Sequence, residues 1–338
     1  MFKKEKRKKK KEKEKEMSAF ESVFNGDGAV VVGDGGLGTM LQRAGLKQGD
    51  VPESWNLTHP AEVQHIHEEY IRAGSQVIET NTFGCNALRL SDDLKERSEE
   101  LARAGAEICR RAVSSAAASS EGGKRVLVAG SIGPTGKLPQ PLGDLSEEAA
   151  RKVFCAQARG LLRGGVDFVL IETMTALEEA EFAIKGVLDA AAGEDVGVKA
   201  EDVRICVTMS FTVNKRRGLV RTPMGVSPDQ LAEMCAKYPQ VFCVGHNCGN
   251  GLAEAEKIAG ELVKAAKKVG EKREGEKKLM VAMQCNAGLP KLGADGSTVY
   301  DSDEGDFVKY FEAMKSLGVS YVGGCCGSRP EHIKAITK

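Results

Sequence analysis

Near its end the chain places two cysteines side by side in a glycine-rich stretch, Tyr321-Val322-Gly323-Gly324-Cys325-Cys326-Gly327-Ser328-Arg329-Pro330. The apolar residues before them read as a strand, so the pair falls where a strand stops and a loop begins. Two thiols in that position can hold a thiophilic metal. A tetrahedral ion also wants ligands from other directions, so the chemistry depends on which upstream residues meet the pair. The plainer readings are two buried thiols or a strained vicinal disulfide.

The elements that must position them follow one grammar. From residue 29 a short β-branched run is followed by a Gly, Asn or Pro turn and then by a longer segment with apolar residues three and four apart. Eight such runs occur: Ala29 to Gly33, Gln76 to Glu79, Val126 to Gly130, Phe168 to Ile171, Arg204 to Met209, Val241 to Gly245, Leu279 to Met283 and Tyr321 to Gly323. Segments such as Pro60 to Ile71 and Glu147 to Leu162 carry the helical stripes between them. Strands alternating with helices pair in parallel and are buried on both faces, which explains their continuous apolar character. Eight units predict an α/β fold, a single (β/α)8 barrel of the TIM type, over residues 19 to 338. The Lys and Glu cluster from Glu256 to Lys278 reads as the exposed face of the sixth helix rather than a hinge.

A barrel gathers the residues after each strand at one mouth, however distant in sequence. Those residues are Asp34-Gly35-Gly36, Thr80-Asn81-Thr82, Ser131 to Pro134, Glu172-Thr173, His246-Asn247-Cys248-Gly249, Cys285 to Gly288, and the Cys325-Cys326 pair. Cys248 therefore converges on Cys325 and Cys326. Three thiolates with one open position describe a catalytic Zn2+ site, because a closed structural site supplies a fourth protein ligand. Such a site suits activation of a further thiol.

Charge and cysteine usage narrow the class. The 338 residues carry zero formal charge, but residues 1 to 16 hold ten Lys or Arg against four Glu, which leaves the remainder at −6. An acidic body argues against a nucleic-acid footprint, and no apolar run reaches the roughly 18 residues of a membrane span. Residues 1 to 18 read as a solvated Lys/Glu-rich tail without the apolar segment of a secretory signal. Ten cysteines without framework spacing predict a reducing, cytoplasmic setting. Cys109, Cys155 and Cys235 fall in helical patterns and read as packing residues, and Cys85 as structural. The run from Gly33 to Gly38 lacks the glycine spacing of a dinucleotide fingerprint.

An ordered set of stretches resembles a known family. They are Gly33-Asp34-Gly35-Gly36-Leu37-Gly38-Thr39-Met40, Ile78-Glu79-Thr80-Asn81-Thr82-Phe83-Gly84, Gly133-Pro134-Thr135-Gly136, Ile171-Glu172-Thr173, Asn247-Cys248, Asn286-Ala287-Gly288-Leu289-Pro290 and Gly323-Gly324-Cys325-Cys326-Gly327. The sequence resembles the zinc-dependent homocysteine S-methyltransferases, above all the homocysteine-binding module of cobalamin-dependent methionine synthase. The resemblance implies that Cys248, Cys325 and Cys326 bind zinc and that the homocysteine thiol takes the open position as a zinc thiolate. It implies that Asp34, Glu79, Thr80 and Glu172 receive the amino-acid end of homocysteine, and that Asn286 lies near the metal. Carboxylates suit an ammonium group, although Asp34 could instead cap a helix and Glu172 close a salt bridge.

The sequence departs from the family at His246, where an aliphatic residue is usual, at Cys285, where proline is frequent, and in the loop from Arg217 to Val226. The expected reaction is methylation of homocysteine to methionine. The methyl donor is a methyl-corrinoid on a separate protein or S-methylmethionine, with betaine a further family candidate, since no folate or cobalamin module is visible in the chain. Two other readings stay open: demethylation of another methylated small molecule in partnership with a corrinoid protein, and a non-catalytic zinc or thiol redox-sensing barrel.

Overall fold

The computed structural model describes residues 20–24, 29–47, 49–119, 125–271, 278–293 and 298–337. The basic tail of residues 1 to 18 lies outside the described residues, as does the turn at Glu274-Gly275. Eight parallel strands form one sheet: β1 Val31–Val32, β2 Val77–Glu79, β3 Leu127–Ile132, β4 Phe168–Met174, β5 Ile205–Met209, β6 Val241–Cys248, β7 Met280–Cys285 and β8 Tyr321–Gly324. Their order is β1-β8-β7-β6-β5-β4-β3-β2. Outside them run the helices α1 Pro60–Ala73, α2 Ser98–Ser119, α3 Glu147–Arg163, α4 Leu177–Ala191, α5 Pro228–Cys235, α6 Ala255–Gly270, α7 Glu304–Leu317 and α8 Pro330–Ile336.

β1 and β2 stand at the two ends of that order, and side chains close the seam between them. Gln76 N–H donates to Val32 O at 2.7 Å while Val32 N–H donates to the Gln76 Oε1 at 3.1 Å. Above them Glu79 N–H donates to Asp34 Oδ2 at 2.9 Å. Backbone groups that two short strands would leave orphaned in the interior are thereby satisfied, and the barrel is a (β/α)8 fold.

The helices begin and end where their residues dictate. Ser227 caps α5 by accepting the Gln230 N–H at 3.2 Å, Gln230 returns its side chain to the Ser227 N–H, and Pro228 occupies the first turn. Asp303 and Asp306 make the same reciprocal cap on α7, which stops at Gly318 with φ +85°. On α6, Ile258, Leu262, Val263, Ala266 and Val269 are buried while Lys257, Lys264, Lys267 and Lys268 face out, so the charged cluster is a helix surface.

One end of the barrel is sealed by aromatic rings. A helical turn at residues 20–24 brings Phe20 and Phe24 under the strands, with centroids 4.8 Å apart. Phe242 lies 5.0 and 5.2 Å from those two rings, and Phe168 6.2 and 6.0 Å. With Val31, Val77, Leu127, Leu170 and Tyr321 they form a core separate from the strand–helix interface. Edge-to-face contacts of this kind contribute about 0.5 to 1.5 kcal/mol per pair beyond the area they bury.

Candidate metal centre and amino-acid site

At the opposite end the strands run further than the apolar runs suggest. β4, β6 and β7 continue through Glu172-Thr173, His246-Asn247-Cys248 and Gln284-Cys285, so site residues sit on strand ends rather than in loops. Hydrogen-bonded backbone fixes side chains there more tightly than a loop would.

The sulfurs of Cys248, Cys325 and Cys326 all lie within 4.8 Å of one another. All three are free thiols and half-buried, so neither a vicinal disulfide nor a fully buried pair describes Cys325 and Cys326. Cys248 closes β6 in the left-handed region, φ +63°, a conformation that costs a non-glycine residue roughly 1 kcal/mol or more. The thiols of Cys325 and then Cys326 hydrogen-bond to its sulfur, which holds the Cys248 pKa far below the thiol range; the same contacts push Cys325 and Cys326 up. Three sulfurs brought this close are a donor set for a soft cation. A tetrahedral zinc with Zn–S near 2.3 Å would need sulfurs about 3.8 Å apart, and separations of at most 4.8 Å admit it.

The loop carrying the cysteine pair is clamped to the turn after β1 and to α1. Ser328 Oγ donates to Cys325 O at 2.5 Å and accepts Gly36 N–H at 3.1 Å, while Tyr70 OH donates to Ser328 O at 2.9 Å. Gly324 makes room for this clamp, since a Cβ there would stand 2.1 Å from Ser328 Oγ. Gly323 and Gly324 therefore serve close approach, and the turn itself is made at Gly327, φ +78°.

Beside the sulfurs stands an acidic group. Asp34 is 1% exposed; its Oδ1 has no partner, and burial, with the charge of Glu172, raises its pKa to about 8. It does not cap the helix Leu37–Arg43, whose N-terminus has no side-chain cap. Glu79 accepts from Gln284 Nε2 and from Tyr321 OH at 3.4 Å, and burial, Glu172 and Asp34 raise it well above the carboxylate range. Glu172 accepts Ser131 Oγ at 2.5 Å and Asn247 Nδ2 at 2.7 Å, and burial raises it to about 7. Among the described residues none of the three has a Lys or Arg ion-pair partner, so the salt-bridge reading of Glu172 does not hold within them. Three carboxylates kept short of full ionisation by burial and by each other are poised for a cation from outside.

Thr80 is placed differently. It is buried; its hydroxyl accepts Ser131 N–H at 2.9 Å and lies 2.5 Å from Thr82 Oγ1. Because Thr82 gives its own proton to Ser131 O at 2.7 Å, Thr80 donates to Thr82, and its proton is committed to the join between β2 and β3.

Other residues surround the two groups, some expected from the sequence and some visible only in the structure. Asn286 hydrogen-bonds to Cys248 and to Gly249 O at 3.0 Å, and its buried Oδ1 has no partner. Tyr300, in the β7–α7 connection, hydrogen-bonds to Cys326 and is pushed above the phenol range by burial. No motif marked Tyr300. Ser131 stood in a strand-end position, but its partner Glu172 is 41 residues away. His246 is buried, its Nδ1 accepts Phe211 N–H at 3.1 Å, and burial lowers it to about 4, so it is a neutral packed ring. Cys285 is buried against Tyr310, outside the sulfur cluster, and Cys85 is buried as well.

The chain is 32% identical over 321 residues to methionine synthase of Mycobacterium tuberculosis, and 34% identical over 318 residues to that of Mycobacterium leprae. Each match covers 91% of this chain and 24% of the relative, so the chain spans about a quarter of the length of these proteins. The crystal structure of the homocysteine methyltransferase MmuM from Escherichia coli superposes in its oxidised form with a TM-score of 0.72 at 20% identity, over 94% of this chain and 98% of that one. Its metallated form gives 0.69 at 21% identity, over 94% and 99%. The model of the homocysteine S-methyltransferase family matches residues 31–338, and the chain belongs to that family.

Proposed function

We propose that this chain transfers a methyl group to the sulfur of homocysteine, giving methionine, with zinc held by Cys248, Cys325 and Cys326. The observation that carries the reading is the pairing, at one end of one barrel, of three convergent thiols with three carboxylates that, among the described residues, have no Lys or Arg ion-pair partner. An amino acid with a thiol on a short side chain matches both halves.

When bound, zinc supplies Lewis acidity that favours the deprotonated form of a thiol, which free in water at neutral pH is only a few per cent ionised. The residues of the chain do the rest. Glu172, Asp34 and Glu79 receive the ammonium group; Ser131 and Asn247 hold Glu172 in place. Asn286 offers an unpartnered oxygen beside Cys248. The thiol loses its proton to solvent, its sulfur lone pair forms the S–CH3 bond, and the bond to the donor breaks with its electron pair leaving on the donor. Donor groups consistent with the reading are a methyl-corrinoid on a separate protein and S-methylmethionine. The ten cysteines, all free, suit a reducing cytoplasmic setting.

The test is to incubate zinc-loaded protein and homocysteine with each donor in turn and measure methionine. Product from one donor and not the others identifies it. No methionine from any donor, with zinc and fold intact, would sink the reading.

A further inference from the structure

β4 carries an irregularity where it matters most. Ile171 pairs with Val207 and Met174 with Met209, so β4 spends one more residue than β5 over the same span. The bulge falls at Glu172-Thr173 and lifts Thr173 N–H off the ladder. Thr173 is β-branched yet adopts φ +58°, a conformation that persists only when its surroundings over-determine it.

What holds it is one amide from β6. Asn247 Oδ1 accepts the freed Thr173 N–H at 2.7 Å and Thr208 Oγ1 at 2.8 Å. Its Nδ2 donates to Glu172 Oε2 at 2.7 Å and to Thr173 Oγ1 at 2.6 Å. All four valences of the amide are used at 1% exposure. The amide orientation is determined too, because flipping it would set its NH2 against a backbone N–H. The next residue is Cys248, itself in a left-handed conformation.

We propose that Asn247 is a positioning residue that ties the amino-acid site to the sulfur site, fixing the Glu172 carboxylate at a set distance from the Cys248 thiol. The inference rests on the proposed acceptance of homocysteine and adds a means by which its two ends are measured against each other. Asn247 touches neither end of the substrate; it acts through Glu172 and Thr173 on one side and through the backbone of Cys248 on the other. An aspartate would keep the two acceptor contacts, lose both donors and face Glu172 with like charge. The site then loses its grip on the ammonium group specifically.

The experiment compares homocysteine with 4-mercaptobutyrate, the same thiol without the amino group, by calorimetric binding to zinc-loaded wild type and Asn247→Asp, with zinc content and circular dichroism measured alongside. Expected are full zinc content, homocysteine binding weaker by about tenfold or more, and 4-mercaptobutyrate binding unchanged. Equal losses for the two thiols, loss of zinc, or unchanged homocysteine binding would overturn the proposal. Should Asn247→Asp not fold, Thr173→Gly serves: glycine accepts φ +58° freely, one contact to Asn247 is lost, and a smaller loss, about threefold, is expected for homocysteine alone. No loss, or an equal loss for both thiols, would again overturn it. If wild type itself binds both thiols equally, the proposed function fails at the ammonium site; if wild type discriminates and the variants discriminate to the same extent, only the role of Asn247 fails.

Discussion

The two ends of this barrel are built on opposite terms. The floor is aromatic: Phe20, Phe24, Phe168 and Phe242 interlock at 4.8 to 6.2 Å, and the Arg204 guanidinium lies 4.3 Å over the Phe20 ring. The mouth holds three mutually repelling carboxylates, three crowded thiols, and the unpartnered Asp34 Oδ1 and Asn286 Oδ1. The two non-glycine residues at positive φ among the described residues, Thr173 and Cys248, are also at the mouth. Among the described residues, stability is concentrated at one end and spent at the other, as expected where a site must be ready for a ligand it does not yet hold.

The contrast breaks most sharply at the sulfurs. Cys248→Ala should remove zinc and lower methyl transfer by more than about 10³-fold while leaving the melting temperature of the metal-free protein within a few degrees, read by metal analysis, methionine formation and calorimetry. Stripping zinc from the wild type with a chelator should reproduce that loss, and returning zinc should reverse it. Phe168→Ala should do the converse, costing about 3 to 5 kcal/mol in denaturant unfolding with zinc still bound stoichiometrically. Retention of wild-type stability in that variant would show that the floor is not the anchor.

Smaller effects sharpen the division within the mouth. Glu172→Gln should raise the homocysteine KM by about tenfold or more with a lesser effect on kcat. The same variant separates a pH effect. The folded pKa of Glu172 is raised to about 7 from an unfolded value near 4.5, so ionisation opposes folding, and its contribution to stability is lost as pH rises through that interval. Wild type should therefore lose stability between pH 5 and 8 more steeply than Glu172→Gln; identical slopes would contradict the burial argument. Tyr300→Phe, which removes a hydrogen bond to Cys326, should weaken zinc retention against a competing chelator by about tenfold without altering unfolding.

Much of this was readable in the sequence, for identifiable reasons. The alternation of apolar runs and helical stripes marked all eight strands because parallel strands buried on both faces leave a continuous apolar trace. That alternation in turn brings Cys248 to Cys325 and Cys326 across a wide gap in sequence. The strand ends at Glu172, Asn247 and Gln284 were cut short because polar residues there hide strand character. Asn247 stood in a quoted motif, yet its role depends on a bulge two strands away that no local pattern signals. Asp34 and Thr80 show why residue type underdetermines role: one carboxylate oxygen closes the barrel seam and the other is unpartnered, while the threonine proton goes to Thr82. The hairpins Thr212–Asn214 with Leu219–Arg221 and Lys291–Leu292 with Thr298–Val299 went unmarked, because strands of two or three residues are too short to show a period.

The central claim is that the three sulfurs form one zinc centre that receives a fourth sulfur from the substrate. Zinc-edge X-ray absorption of the purified protein, with and without homocysteine, tests it most directly. The account predicts about one zinc per chain with three sulfur neighbours, rising to four when homocysteine is added and not when methionine is added. Absence of zinc, or a sulfur count that homocysteine leaves unchanged, would contradict it.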